Sequence, residues 1–233
     1  MINKLKSIYL LSCIGIIAFC LTTSVLAEES LSKAEGIVDA AEKSVEAFTI
    51  DPEMKWFRDN MTNAKGVFVV PQLIKGGFIF GGSGGSGVLL TKGDGNIWSD
   101  PAFYTMGSGT LGFQIGVEVS EIILMVMTDR GIDALLTSSF KLGGDASIAA
   151  GPIGAGAKAQ TADIFAFSRT KGIYGGINIE GAVIKTRSKW NNAYYNEVTS
   201  PRKILIEGAV TNPHADDLRT AVANLSTTSN NQQ

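Results

Sequence analysis

Before residue 66 the apolar positions recur every third or fourth residue; after it they recur at every second. In "ESLSKAEGIVDAAEKSVEAF" Leu31, Ala34, Val38, Ala41, Val45 and Phe48 fall on one stripe. That spacing predicts an amphipathic helix with Ser30 or Ser32 as its cap. "DPEMKWFRDNM" continues the helical part. Asp51 caps it, Pro52 takes the first helical position, and Met54, Phe57 and Met61 face inward. The helical period ends near Ala64.

In "LGFQIGVEV" Leu111, Phe113, Ile115, Val117 and Val119 alternate with Gly112, Gln114, Gly116 and Glu118. In "GIYGGINIEGAVI" Ile173, Gly175, Ile177, Ile179, Gly181 and Val183 share one face. Both patterns predict β-strands with one apolar side. "VFVV", "FIF", "GVLL", "IILMVM", "DASIAAG" and "DIFAFS" supply further strands, with "KGDGN" as a turn. Short helices are expected at "GIDALLTSS" and at "NPHADDLRTAVANL", where Pro213 suits a helix start. Of the 27 glycines, 24 lie between Gly66 and Gly181, interleaved with Val, Ile, Leu and Phe. A flexible linker would lack that apolar content. Glycine repeated inside strands marks bends and close backbone approach, and suits a tightly coiled sheet. The expected class is α+β: a predominantly antiparallel, strongly curved or barrel-like sheet with N-terminal amphipathic helices and a short C-terminal helix. The expected bounds are helices over 28–64, a glycine-rich body over 65–210, a helix over 213–225 and a polar tail over 226–233.

The segment before the first helix changes the picture of where the chain resides. Lys4 and Lys6 precede the apolar run "SIYLLSCIGIIAFCL", and Val25 and Ala27 are the small residues a signal peptidase requires. Residues 1–27 therefore predict a secretory signal peptide and an exported, periplasmic or secreted, domain over 28–225. The run is shorter than the roughly 20 residues of a spanning helix. Both cysteines, Cys13 and Cys20, lie inside it, so the processed chain has no disulfide and no thiolate ligand. Processing removes two lysines and leaves 18 basic against 22 acidic residues, a net of −4. That balance argues against a general nucleic-acid binder. Arg169, Lys171, Lys185, Arg187, Lys189, Arg202 and Lys203 nevertheless fall in one segment with only Glu180 and Glu197. Such asymmetry predicts a local site for anions.

"FIFGGSGGSGVLL" matches two catalytic patterns. Gly82, Gly84 and Gly87 spell a dinucleotide-binding fingerprint, and Gly81, Ser83 and Gly85 spell a nucleophile elbow. Each pattern requires a strand leading into a helix, whereas these glycines lead into "VLLTKGDGNIW", a strand running to a turn. A triad of Ser83, Asp163 and His214 is allowed by chain order, but His214 is the one histidine and stands at the start of a surface helix. The segment reads as a glycine-kinked strand. With one histidine and no processed cysteine, a metal would need carboxylates, and no acidic cluster has calcium-loop spacing. Asp145 reads as a turn carboxylate held by backbone N–H groups. No cofactor, metal or catalytic residue is expected.

Four stretches carry a family resemblance: "AKGVFVVPQLIKGGFIFGGSGGSGVLL", "WSDPAFYTMGSGTLGFQIGVEV", "SSFKLGGDASIAAGPIGAGA" and "FSRTKGIYGGINIEGAVI". They resemble the SYLF domain, a lipid-binding module whose eukaryotic members also associate with actin patches and which stands alone behind signal peptides in bacteria. The likeness runs from about Ala34 to Leu225. It implies a barrel-like β domain that binds phospholipid and is not an enzyme, of the bacterial secreted single-domain branch. Phosphoinositide and actin are not carried over as partners to such an envelope protein. Read with the charge asymmetry, the resemblance makes the seven basic residues Arg169 to Lys203, expected on loops of the β domain, candidates for lipid headgroups, Arg by bidentate contact and Lys as a point charge. Trp190, Tyr194 and Tyr195 become candidates for the membrane interface. The first helix either packs on the sheet or lies in a membrane interface; its six acids against two lysines argue for packing. A second reading is a structural or assembly protein of the envelope that binds protein or polymer, and a third is a serine hydrolase through Ser83 and His214.

Overall fold

The computed structural model describes residues 27–77, 80–111, 116–152, 161–170, 172–177 and 179–227. The signal-peptide reading therefore falls outside the described residues, as does the end of the polar tail. Helix α1 covers 27–50 and carries its apolar stripe inward: Ala34, Val38, Ala41, Val45 and Phe48 are fully buried. Asp51 then accepts from the Glu53 N–H at 2.8 Å and Pro52 opens a short 3-10 turn into α2 (Lys55–Asn60). Met54, Phe57 and Met61 are buried, as the helical spacing predicts.

The strands follow as β1 (Gly66–Gly77), β2 (Phe80–Thr91), β3 (Ala102–Leu111) and β4 (Gly116–Val126). After α3 (Asp129–Leu135) come β5 (Ser139–Lys141), β6 (Ile148–Ala150), β7 (Ile164–Thr170), β8 (Ile173–Gly176) and β9 (Val183–Thr186). They form one sheet in the order β5-β9-β3-β2-β1-β4-β7-β6, with β8 added beside β7. All pairings are antiparallel except β6 with β7. Helices α4 (Ser188–Tyr194), α5 (Pro201–Leu205) and α6 (Asp216–Thr227) complete the described chain.

Strand alternation sorts the core into two clusters on opposite faces. Val67, Val69, Val88, Leu90, Phe103, Ile123, Met125, Phe165 and Phe167 pack against α1, α2, α4 and α6 on one side. We call this the outer face. Phe68, Val70, Leu89, Tyr104, Ile122, Leu124, Ile164 and Ala166 line the other side, where Phe140 and Ile184 from one edge meet Ile148 from the other. Residues of both edges share this inner cluster, so the sheet is curled into a half-barrel. The Leu142–Ala146 bridge joins the edge regions, and Leu135, Ile204 and Leu205 fill the interior.

The curl is set by a bulge. The register of β1 slips between Val69 and Gln72 against β2 and between Val70 and Leu73 against β4, around Pro71. Proline cannot donate to the ladder and is admitted at such an irregularity. The displaced backbone crowds β2: a Cβ at Gly87 would stand 2.3 Å from the Val69 carbonyl oxygen, and one at Gly85 2.6 Å from that of Gln72. Here lies the answer to "GGSGGSG": glycine occurs at 85 and 87 because β1 leaves no room for a side chain.

Three local expectations are corrected. "LGFQIGVEV" is not one strand, since Leu111 ends β3 and Gly116 begins β4, and these strands are separated by β2 and β1. "GIYGGINIEGAVI" is divided between β8 and β9, on opposite sides of the sheet, with Gly181 at φ 84 in the turn before β9. The segment "RSKWNNAYY … PRK" is helical rather than looped, because Trp190, Asn191 and Tyr194 bury one face of α4 and Ile204 and Leu205 one face of α5.

Candidate functional site

The seven basic residues of the anion-site expectation do not share one surface. Arg169, on β7, lies directly across from Glu121 on β4. Its Nε donates to Glu121 Oε2 at 2.8 Å while a second guanidinium nitrogen bonds Oε1, and its plane stands over the Tyr174 ring at 5.8 Å. The hydrogen bonds it donates to Glu121 hold its pKa above the ordinary arginine range. A bidentate pair of this kind spends the charge inside the protein. Lys171 lies outside the described residues. Arg202 and Lys203 sit on α5, whose Ile204 and Leu205 pack into the inner cluster.

Lys185, Arg187 and Lys189 remain, at the end of β9 and the start of α4. Parity settles their side: Ile184 packs inward, so Lys185 points outward, where its cross-strand partners are Thr105 and Ser139. Arg187 follows where β9 turns into α4, its N–H bonded to the Phe103 carbonyl at 2.9 Å. One guanidinium nitrogen donates to Ser86 Oγ at 2.6 Å, and the guanidinium carbon stands 3.5 Å from the centroid of the Trp190 ring. Among the described residues Arg187 makes no ion pair with a carboxylate. Partial burial pulls its pKa below the ordinary value, with no other cause of shift. A half-buried guanidinium whose partners are one hydroxyl and one ring retains N–H donors and an uncompensated charge.

Arg187, Lys189 and Trp190 line a groove of about 1020 Å³ whose other wall is the start of α1, with Leu31 and Lys33. Glu28 and Glu29 also border it, and Glu29 is tied to Lys33 at 2.5 Å. Chemically the groove offers a planar cation, flexible ammonium groups and an apolar strip, a combination suited to an anion attached to an apolar body.

The three rings expected at a membrane interface are core residues instead. Trp190 is 8% and Tyr194 3% exposed, and both stack edge-on against Phe103 at 6.2 and 5.0 Å. The Tyr195 hydroxyl donates to the Pro101 carbonyl at 2.6 Å. Burial raises the pKa of both tyrosines far above the usual range. Their spacing along α4 is what an inward helical face requires, and a ring stripe beside a charge run gave no means of separating that role from a membrane role.

The hydrolase constellation is not assembled. Ser83 Oγ shares a hydrogen bond with Ser108 Oγ at 2.9 Å across β2 and β3. His214 lies between Tyr194 Oη and Asp39, each at 3.2 Å. Asp163 holds Thr128 Oγ1 at 2.6 Å and the Ser147 N–H and hydroxyl at 2.9 and 2.7 Å. Each member of the triad is committed elsewhere. Asp145 accepts the Lys141 N–H at 2.7 Å, the turn role its sequence position predicts. Among the described residues no group of three His, Cys, Asp or Glu is placed to hold a metal ion. Lys141 is a cation that the charge run concealed: it lies 28 residues before Arg169, yet β5 pairs with β9 and sets Lys141 opposite Val183 on the outer face.

A helix-clad antiparallel half-barrel with a cationic outer groove is the class that the fold and the site define. Residues 107–225 match the model of the family described as Ysc84, Las17-binding protein actin regulator, and the chain belongs to this SYLF-type family. An SH3 domain-containing protein of Schizosaccharomyces pombe is 35% identical over 166 residues, covering 67% of this chain and 38% of that protein. LAS seventeen-binding protein 3 of Saccharomyces cerevisiae is 29% identical over 167 residues, covering 68% of this chain and 36% of its own length. The SH3 domain-containing YSC84-like protein 1 of Bos taurus is 30% identical over 165 residues, covering 68% of this chain and 48% of its own. This chain thus spans between about a third and a half of these eukaryotic relatives.

Proposed function

We propose that this domain is an exported, non-catalytic module that binds the anionic headgroups of phospholipids through the groove between α1 and α4. One observation carries the reading: the Arg187 guanidinium is half-buried, stacked on Trp190 and, among the described residues, free of a carboxylate, with Lys185 and Lys189 exposed on either side along the chain. Desolvating a cation without a counter-ion is costly, and a protein that retains such a group gains when an anion completes it. A phosphate matches the fork of an arginine, and each basic group near an anionic surface adds about 1 kcal/mol. The signal-like residues 1–27 support export, and a bacterial secreted branch of the family would have this layout.

Flotation with vesicles tests the reading. Wild-type protein is expected to float with phosphatidylglycerol-containing vesicles and to be released by salt, and K185S/R187Q/K189S to lose that preference. Equal recovery on neutral and anionic vesicles, indifferent to salt, overturns it.

A protein-binding role is the second reading, favoured by the family description, which names Las17 and actin regulation. The relatives are two to three times longer than the shared segment, so their partner sites need not reside in it. Co-sedimentation with filamentous actin, or capture of an envelope protein without lipid, separates this reading from the first.

A further inference from the structure

The outer face of the sheet changes character beyond the helices. Three cross-strand rows can be followed there by register. The first runs from Ser86 on β2 through Thr105 on β3 and Lys185 on β9 to Ser139 on β5, with Arg187 reaching in to Ser86. The next contains Val119, Ile74, Gly84, Gly107, Val183 and Lys141. The last described row contains Val117, Gly76, Gly82 and Gly109. Polar and cationic groups on the first row and at the β5 end of the second therefore give way to aliphatic groups on a glycine floor.

Of the large hydrophobic side chains left exposed, Ile74 at 48%, Val119 at 45% and Val117 at 77% stand together in these rows. The floor beside them is open at two places, since a Cβ on Gly109 would meet nothing within 4 Å and one on Gly84 only a backbone oxygen at 4.0 Å, whereas one on Gly82 would stand 3.2 Å from the Ser108 carbonyl oxygen. The described positions of the three rows include Lys185 and Lys141 and no carboxylate. Lys75 and Glu118, opposite each other in register, point to the inner face, where Glu118 accepts from Ser120 at 3.1 Å. Glu121, which lines a hollow with Val119, is paired with Arg169, and exposed apolar surface rimmed by polar residues marks a contact site.

We infer that this face is a bilayer-docking surface, in which Ile74, Val117 and Val119 enter the acyl region while Lys185, Arg187 and Lys141 lie at the level of the lipid phosphates. The inference rests on the phospholipid reading above and adds which surface meets the membrane and how deeply. Charge complementarity selects the occupant. An anionic bilayer presents phosphate over hydrocarbon in the order in which this face presents cations and then aliphatic groups. Side-chain-free glycine lets the backbone of this part of the sheet approach the lipid closely.

The test is vesicle partitioning of the full chain with V117D/V119D, its conservative counterpart V117L/V119L, and V117W as a depth reporter. Because both valines are exposed, all variants are expected to unfold at the wild-type denaturant midpoint. On phosphatidylglycerol-containing vesicles V117D/V119D is expected to bind at least about tenfold more weakly and V117L/V119L no more weakly than wild type. V117W fluorescence should be quenched by lipids brominated on the acyl chain. If wild type floats and V117D/V119D floats equally well, this surface is overturned and the phospholipid reading survives. Loss of binding in V117D/V119D without acyl-chain quenching of V117W overturns insertion. Wild type that floats on neither vesicle removes both readings, and self-association abolished by V117D/V119D with no change in lipid binding assigns the face to a second copy.

Discussion

The long strands of this sheet have two dissimilar halves. Between Val67 and Val70, Val88 and Leu90, Ile122 and Val126, and Ile164 and Phe167, consecutive residues alternate between two buried clusters. From Leu73 to Gly77, from Gly82 to Gly84 and over Gly116 to Val119 the same strands lose their outer cover, and glycine takes five of the twelve positions. The packed half carries stability. The bare half carries surface, and the bulge at Pro71 divides the two. A strand buried on both faces holds its register strongly, whereas a glycine-rich strand owes its register to what lies at its other end.

The largest expected effect lies in the packed half. Phe167 is fully buried and its ring meets Phe57 at 5.0 Å and Trp56 at 6.2 Å, joining β7 to α2. Phe167→Ala removes the ring and leaves a cavity that neighbouring rings cannot fill. It should lower the unfolding free energy by about 4 kcal/mol in a denaturant titration. A loss below about 1.5 kcal/mol would mean that α2 does not depend on the sheet for its place.

At the boundary, Gly87→Ala should cost about 2 to 3 kcal/mol, because the new methyl meets the Val69 carbonyl and a Val70 methyl at 2.9 Å with a bulged strand behind them. Chemical denaturation measures it. Pairing it with a change at Pro71 that relaxes the bulge should recover part of the loss, and strict additivity of the two changes would argue against the bulge as the cause.

Two carboxylates of the packed half provide a third effect, with opposite signs in pH. The hydroxyls of Thr128 and Ser147 and the Ser147 N–H depress the pKa of Asp163, and Arg130 adds a weaker attraction at 3.9 Å. Its contribution is complete above the ordinary aspartate value of about 3.9 and is lost as pH falls through the lower folded value. Asp100 is 4% exposed, and burial raises its pKa against the lowering by the Asn212 N–H and Arg219. The folded state holds that proton longer than the unfolded chain, so stability declines as pH rises from the ordinary to the raised value. Unfolding titrations across the acid range should show Asp163→Asn about 2 kcal/mol below wild type at neutral pH and converging with it in acid. Asp100→Asn should remove the decline on its own, higher window.

Much of the fold was legible because periodicity reports burial directly. The stripe of α1 follows from apolar spacing, the start at Asp51–Pro52 from its capping residue and proline, and the strands of the packed half from short unbroken apolar runs. What escaped depends on long-range pairing. "LGFQIGVEV" alternates without a break although it spans two strands, since residues on either side of a chain reversal keep the same period. The basic run from Arg169 to Lys203 looked like one site because the residues are near in sequence, yet β7, β9 and α5 occupy different parts of the half-barrel. Lys141 joined the outer face through β5 pairing with β9, which no local pattern announces. Arg187 was legible as a cation, but its distinguishing feature, a hydroxyl and a ring where a carboxylate would be expected, exists only once Ser86 is brought 101 residues back to it.

The smallest effect separates the halves most sharply. Gly84 and Gly109 belong to the same glycine-rich stretches as Gly85 and Gly87, yet a Cβ at either meets open space rather than a neighbouring strand. Neither has a φ in the left-handed region, so alanine is conformationally allowed and restricts the unfolded chain. Gly84→Ala and Gly109→Ala should therefore lie within about 0.5 kcal/mol of wild type, on the stabilising side. Neighbouring glycines in one strand would then differ by several-fold in cost for a reason that composition cannot supply: one inward position faces the bulge, and the adjacent outward position faces nothing. A loss above about 1 kcal/mol at Gly84 would show that the outer face is covered in the isolated protein, and concentration-dependent unfolding midpoints would identify a second copy as the cover.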